Sequence, residues 1–366
     1  MTARRIVVKV GSSTVSCDSG IRRDFVADLA SQVSELVGRG SHVVIVSSGA
    51  ISAGVERLGM TQRPTDMPGW QAAASVGQVA LVEAYSEALE VHGLVVGQVL
   101  LTRNDTGHRE SYLHARDTFE RLLALGAVPV VNENDTVAVD EIRFGDNDTL
   151  AALAATMIGA DLVVLLSDID GLYDADPRIS EEATLLQQVD ELTDDMVAAA
   201  GGAGSVNGSG GMATKVEAAK VLMRAGIPMV ICEGRKPRVV VDAADGLVVG
   251  TTFDAGAGTL GARKLWIALG RKATGEVVID DGACHALRVR NTSLLPAGVT
   301  GVRGTFDIGD VVALVDVSGN VVAKGLSEMS SADLGRVKGL KSSQIEAVLP
   351  KVAGKTVVHR DSLVVL

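Results

Sequence analysis

Short runs of Val, Ile and Leu alternate with longer segments of helical apolar spacing, from the first residues to about residue 255. Ile6–Val10, His42–Ser47, Val95–Leu101, Val128–Val131, Leu162–Leu166 and Pro228–Cys232 predict strands. Their continuous β-branched character suits strands buried on both faces. Periodicity near 3.6 predicts helices over Asp24–Gly38, Gln71–Val91, Tyr112–Leu125, Thr149–Ile158 and Thr214–Arg224. Strand and helix in alternation imply βαβ units. The expectation is therefore an α/β fold with an open, mainly parallel sheet sandwiched by helices.

The pattern changes near residue 260. Arg263-Lys264 and Arg271-Lys272 bracket a short apolar patch, and beyond them short strands recur between Gly, Asp and Asn turns. Glu276–Ile279, Ala286–Arg290, Val311–Val315 and Val321–Leu326 predict a small, strand-rich barrel. The boundaries expected are a first domain over 1–260, a linker over 261–274 and a second domain over 275–366. Gly256–Gly261 fits GxGxxG after the strand-like Leu247–Thr252. A dinucleotide site needs a paired mononucleotide half, which the short-stranded part that follows does not offer. A glycine-rich turn at a domain boundary is the simpler reading.

At 366 residues the chain is long enough for two domains, and 47% hydrophobic positions exclude disorder. The net charge of −11 argues against nucleic acid binding by the chain as a whole. From Glu276 onward there are ten acidic and ten basic residues, so that charge belongs to the first part. Cys17, Cys232 and Cys284 form no CxxC pair, and the six histidines form no HExxH. No metal site is expected. The longest apolar stretches, such as Leu150–Ile158, fall well short of a membrane span. The chain reads as soluble and cytoplasmic.

Candidate chemistry gathers where the predicted strands end. Lys9–Ser13 closes the first strand with a cation and a Gly turn suited to an anion, though an ordinary βα turn would look the same. Ser47–Ala50 ends the second strand, as a substrate contact or a helix cap. Asn132–Asp135 and Gly145–Thr149 are the densest polar clusters, separated by Val137–Phe144, which alternates like a hairpin. Turn and cap chemistry explains one Asp or Asn at each end but not seven polar groups. Ser167–Tyr173 follows a strand and lacks the Gly and Glu of a calcium loop, so it suits a nucleotide's sugar and base better. Ser209–Lys215 opens a helix with a Lys in its first turn, a second anion-ready start without a Walker A pattern.

Taken in order, KVGSS at Lys9–Ser13, SSGAISAG at Ser47–Gly54, NENDTV at Asn132–Val137, FGDNDTLAA at Phe144–Ala152, SDIDGLY at Ser167–Tyr173 and GSGGMATK at Gly208–Lys215 resemble the amino acid kinase family, in its glutamate-phosphorylating branch. The C-terminal part resembles a PUA domain. The resemblance implies ATP-dependent phosphorylation of the γ-carboxylate of L-glutamate to L-glutamyl 5-phosphate, the first step of proline biosynthesis. It assigns catalysis to Lys9 and Lys215, flanking the transferred group, with Asp148 organising them. Ser48, Gly49, Ala50, Asp135 and Asn147 would hold glutamate. Lys9, Gly11, Ser167, Asp168 and the run Ser209, Gly210, Gly211, Met212, Ala213, Thr214, Lys215 would hold ATP. Mg²⁺ would ride on the ATP phosphates. A homo-oligomer and feedback inhibition by proline are implied in the same way. Two alternatives stay open: a family member acting on another carboxylate or carbamate, and an RNA-binding protein using the PUA-like part.

Overall fold

The apolar runs of the first part pair into one sheet in the computed structural model, which describes residues 4–17, 20–102, 109–137, 147–175, 177, 180, 182–193, 196–197, 211–255, 273–290 and 292–365. Its strands are β1 (Arg5–Val10), β4 (His42–Ser47), β5 (Val96–Leu101), β6 (Val128–Glu133), β7 (Leu162–Ser167), β8 (Gln188–Val189), β9 (Met229–Glu233) and β10 (Gly250–Phe253). A separate two-stranded ribbon, β2 (Ser16–Cys17) and β3 (Gly20–Ile21), follows β1. The order across the sheet is β5-β6-β4-β1-β7-β9-β10-β8, and only the β9–β10 pair runs antiparallel. Strand order reverses between β1 and β7, which makes the carboxyl ends of these strands the crevice where an open α/β sheet binds ligands.

The helices of this part are α1 (Ser12–Val15), α2 (Arg23–Gly38), α3 (Ala50–Arg57), α4 (Met67–Glu90), α5 (Arg109–Ala124), α6 (Asn147–Ile158), α7 (Met212–Ala225) and α8 (Val239–Ala244). Ile6, Val8 and Val10 of β1 share a core with Phe25 and Leu29 of α2, Leu81 and Tyr85 of α4 and Val240 of α8. Strand alternation sends Val7 and Lys9 to the opposite face. There α6 packs on β1, β4, β6 and β7 and is flanked by α5 and α7. Leu150 through Ile158 of α6 are all buried, as a helix apolar around its whole circumference requires.

Helix α4 starts at Met67, four residues before the apolar periodicity. The Asp66 carboxylate accepts the Gly69 N–H at 2.8 Å, and proline stands in the first turn, where it has no N–H to lose. Strand β10 starts at Gly250, leaving Leu247 and Val248 exposed before it, in place of a strand from Leu247. The expected hairpin Val137–Phe144, the glycine run Gly256–Gly261 and the basic connector Arg263–Lys272 lie, beyond Val137, outside the described residues.

The chain divides into two compact units, Met1–Thr259 and Leu260–Leu366. The second holds a five-stranded sheet of β11 (Gly275–Ile279), β12 (Val299–Gly304), β13 (Val311–Val315), β14 (Val321–Ser327) and β15 (Val358–Val365), in the order β12-β11-β13-β14-β15. Ala286–Arg290 is not the strand its alternation predicts but the second half of a helix, α9 (Asp281–Arg290). The Asp280 carboxylate caps it by accepting the Ala283 N–H at 2.7 Å. Asp281 in the first turn and Arg288 and Arg290 in the last complement the helix dipole. Val277, Phe306, Leu314, Leu334 and Leu363 belong to this unit's own core.

Because each unit buries its own core, a chain ended at Ala273 is expected to fold and to unfold cooperatively. Circular dichroism during urea denaturation checks this. A non-cooperative transition would show that the first unit needs the second.

Candidate active site

Register brings the strand ends together. Val10 of β1 lies between Ser47 of β4 and Leu166 of β7. Lys9, one residue earlier, is 3% exposed and enters the layer occupied by α6. Its Nζ lies 2.6 Å from Asp148 Oδ1, and Asp148 is fully buried as the second residue of α6. The other carboxylate oxygen, Oδ2, is 3.1 Å from Lys215 Nζ, in the first turn of α7. Two ammonium groups from distant parts of the chain thus share one carboxylate. The Thr214 hydroxyl lies 3.0 Å from the same Oδ2 and 2.8 Å from the Gly211 carbonyl, tying the start of α7 to Asp148.

Asn147 turns the other way. Its Nδ2 donates to Ser48 Oγ at 2.9 Å, to Asn132 Oδ1 at 2.9 Å and to the Ser47 carbonyl at 3.1 Å. Two adjacent residues at one helix start therefore serve two neighbouring places, the lysine pair and the end of β4. Gly49 follows Ser48 with φ +101°, and a Cβ there would stand 2.6 Å from Val15 Cγ1, so both conformation and space demand glycine. Ala50 opens α3, which crosses α4 at backbone contact. A Cβ on Gly77 would fall 1.7 Å from the Ala50 carbonyl oxygen, and one on Gly54 equally close to that of Ala73. This crossing fixes where the loop after β4 begins its helix.

Beneath that loop, Tyr85 of α4 is buried with its hydroxyl 3.0 Å from Ser47 Oγ. Ser47 Oγ donates to the Ser48 carbonyl at 2.9 Å, which leaves Tyr85 as the donor to Ser47. Burial pushes the Tyr85 phenol well above its ordinary range, so the proton stays in place.

Residues 4–233 match the amino acid kinase family, and residues 275–349 match the PUA domain. The chain belongs to the amino acid kinase family. It is similar along its whole length to proteins named glutamate 5-kinase. One from Chromobacterium violaceum is 48% identical, with 99% of this chain and 98% of that protein covered. One from Geobacter sulfurreducens is 45% identical at the same coverage, and one from Caldanaerobacter subterraneus is 44% identical, again over 99% and 98%.

The structure brings Lys9, Thr214 and Lys215 together on Asp148, and Ser48 together with Asn147, in two adjacent clusters of this kinase. Gly11 directly follows β1, but its N–H is spent on the Leu166 carbonyl at 3.2 Å. The N–H groups of Ser12 and Ser13 are those the following turn leaves without an intrahelical acceptor. Ser167 ends β7, buried, and donates to Asp168 Oδ1 at 3.1 Å, while Asp168 itself is exposed. The loop beyond is latched by Thr251 of β10, whose hydroxyl accepts the Leu172 N–H at 2.8 Å and reaches the Leu186 carbonyl at 2.6 Å. Asp135 is half-buried in the turn after β6. Gly211, Met212 and Ala213 begin α7, and Ser209 and Gly210 lie outside the described residues. Among the described residues, no group of three His, Cys, Asp or Glu side chains is placed to hold a metal ion, and no helix is long and apolar enough to cross a membrane.

Asn132, Ser47, Tyr85 and Gln78 also support the site; Ser47 and Asn132 fall in candidate segments of the sequence without a role of their own, and Tyr85 and Gln78 were not singled out. Asn132 stands in the NENDTV motif, so a signal existed for it, whereas Gln78 and Tyr85 look like ordinary positions of a long helix.

Asp148→Asn keeps size but removes the charge between two buried ammonium groups. It is expected to lower stability by about 3 kcal/mol, the scale of breaking a buried ion pair from one side. Chemical denaturation of the variant against the wild type measures it. An unchanged midpoint would mean that the lysines do not depend on this carboxylate.

Proposed function

We propose that the protein transfers the γ-phosphoryl group of ATP to the γ-carboxylate of L-glutamate, giving ADP and L-glutamyl 5-phosphate, the first step of proline biosynthesis. The observation that carries this reading is Asp148 holding Lys9 and Lys215 on its two oxygens, next to an Asn147 that faces Ser48. A carboxylate oxygen attacks the γ-phosphorus while the bond to the β,γ-bridging oxygen breaks, and the electron pair leaves with ADP. Nucleophile and phosphate are both anionic, so the barrier falls mainly through positioning and neutralisation of charge. Lys9 from β1 and Lys215 from α7 supply that charge. Asp148 keeps the two cations together against their repulsion.

In this reading Ser48, Gly49, Ala50, Asp135 and Asn147 hold glutamate. Gly11, Ser167, Asp168 and the segment from Ser209 to Lys215 hold ATP. Magnesium, when bound, screens the phosphate oxygens. It fits best carried by the nucleotide, since both oxygens of Asp148 are engaged by lysines. On the family resemblance we extend the proposal to proline as an inhibitor competing at the glutamate site, to a homo-oligomeric assembly and to a cytoplasmic location.

ADP release with L-glutamate, N-acetylglutamate, aspartate, carbamate and UMP as acceptors tests the reading. Turnover with glutamate is expected to exceed that with each of the others. Preference for another acceptor would move the chain to a different activity within its family. Lys9→Ala and Lys215→Ala are each expected to lower kcat by about 10²–10³ with a much smaller change in either KM. Near-normal turnover in folded variants would remove these residues from the chemistry.

Asn147→Ala should act chiefly on the KM for glutamate and leave that for ATP nearly unchanged. Asp148→Asn should act chiefly on kcat. Steady-state kinetics with both substrates varied separates them. If Asp148→Asn moved only the glutamate KM, Asp148 would belong to the substrate site.

A further inference from the structure

The Asn147 amide is held in one orientation by groups that cannot exchange roles. An amide nitrogen carries two hydrogens, and Ser48 Oγ, Asn132 Oδ1 and the Ser47 carbonyl take both. A carbonyl only accepts, so Ser47 requires the nitrogen of Asn147 on its side. A backbone N–H only donates, and that of Glu133 reaches Asn132 Oδ1 at 2.8 Å, one of two contacts that orient the second amide. Asn132 Nδ2 then points to Gln78 Oε1 of α4, 2.8 Å away.

Gln78 completes this chain at a cost. Its Nε2 is buried and has no hydrogen-bond partner among the described residues. Rotating the amide by half a turn would set its NH₂ against the NH₂ of Asn132 and leave Asn132 without its acceptor. Leaving a buried donor unmet is unfavourable, and an apolar side chain would avoid it. The acceptor side of Gln78 therefore matters more to the site than its donor side does to the fold.

We propose that Gln78 is a positioning residue which, through Asn132, locks the Asn147 amide so that only its oxygen is left for the substrate. This rests on glutamate being the acceptor. At neutral pH both carboxylates of glutamate only accept hydrogen bonds, and its α-ammonium only donates. An Asn147 that presents Oδ1 alone therefore reads the ammonium end of the substrate. A freely turning amide would offer donor and acceptor alike.

The test is steady-state kinetics of Gln78→Met, which keeps length and helix propensity but removes the acceptor, with Gln78→Leu as a second variant. The KM for glutamate is expected to rise roughly three- to tenfold, the worth of one hydrogen bond, with kcat and the KM for ATP within about twofold of wild type. In an Asn147→Ala background the same substitution should raise the glutamate KM no further, because residues acting through one another do not add. Increases that multiply in the double variant, or an equal rise in both KM values, would overturn the relay. Loss of folding in both Gln78 variants overturns it too, by showing that Gln78 serves the fold. A wild-type chain whose ADP release ignores glutamate overturns the functional reading instead, and is seen before any variant is made.

Discussion

A charged side chain on the central strand of a buried sheet is the constraint on which this architecture turns. Lys9 lies within β1, flanked in sequence by Val8 and Val10, and its ammonium group is removed from water. An uncompensated charge there would cost several kcal/mol, so a carboxylate must meet it. The one that does belongs to the first turn of α6, far along the chain. That requirement sets where α6 begins and how deeply it sits. The rest of α6 is apolar around its circumference, because it is wedged between the sheet and two further helices. Lys215 reaches the same carboxylate from α7, so three elements are located by one ion cluster.

What could be read in the sequence follows from how strands and helices advertise themselves. Six of the eight strands in the main sheet of the first unit were visible as apolar runs, and their starts agree with the structure within one residue. Their ends were less visible. β6 continues through Asn132 and Glu133, and β7 through Ser167, because ladder pairing is made by the backbone and is indifferent to polar side chains. These polar extensions are where the site lies. In the second unit the alternation in Ala286–Arg290 imitated a strand, while the cap at Asp280 decided for a helix. The motifs gave the lysines and Asp148 through a family resemblance. The resemblance also named Asp148 as their organiser, a pairing the residues alone do not show, since nothing local in a sequence says which carboxylate meets which ammonium. Gln78 left no trace at all. A glutamine on a long helix is unremarkable until the amide opposite it is seen.

The end of β4 and the loop after β7 are built by different means. The end of β4 is held by backbone contact between α3 and α4 at Gly54 and Gly77, and by a buried hydroxyl pair, Ser47 and Tyr85. The loop after β7 is held by Thr251, whose hydroxyl bridges two backbone groups, and by hydrogen bonds across the loop itself, such as the Leu186 N–H to the Leu172 carbonyl at 2.8 Å and the Asp174 N–H to the Thr184 carbonyl at 3.1 Å. The first arrangement resists displacement through hard packing, in which neither helix can move without the other. The second depends on hydrogen bonds along the loop.

Lys9 has one more consequence, for the chain before it folds. Without it, Ile6 to Val10 would be an unbroken stretch of β-branched residues. Short, uncharged, β-prone stretches of this kind nucleate cross-β assembly when exposed. A lysine placed inside such a stretch acts as a gatekeeper, because stacking identical copies would stack identical charges. The native fold neutralises that charge only when α6 arrives, many residues later in synthesis. Until then the same lysine keeps the emerging strand in solution.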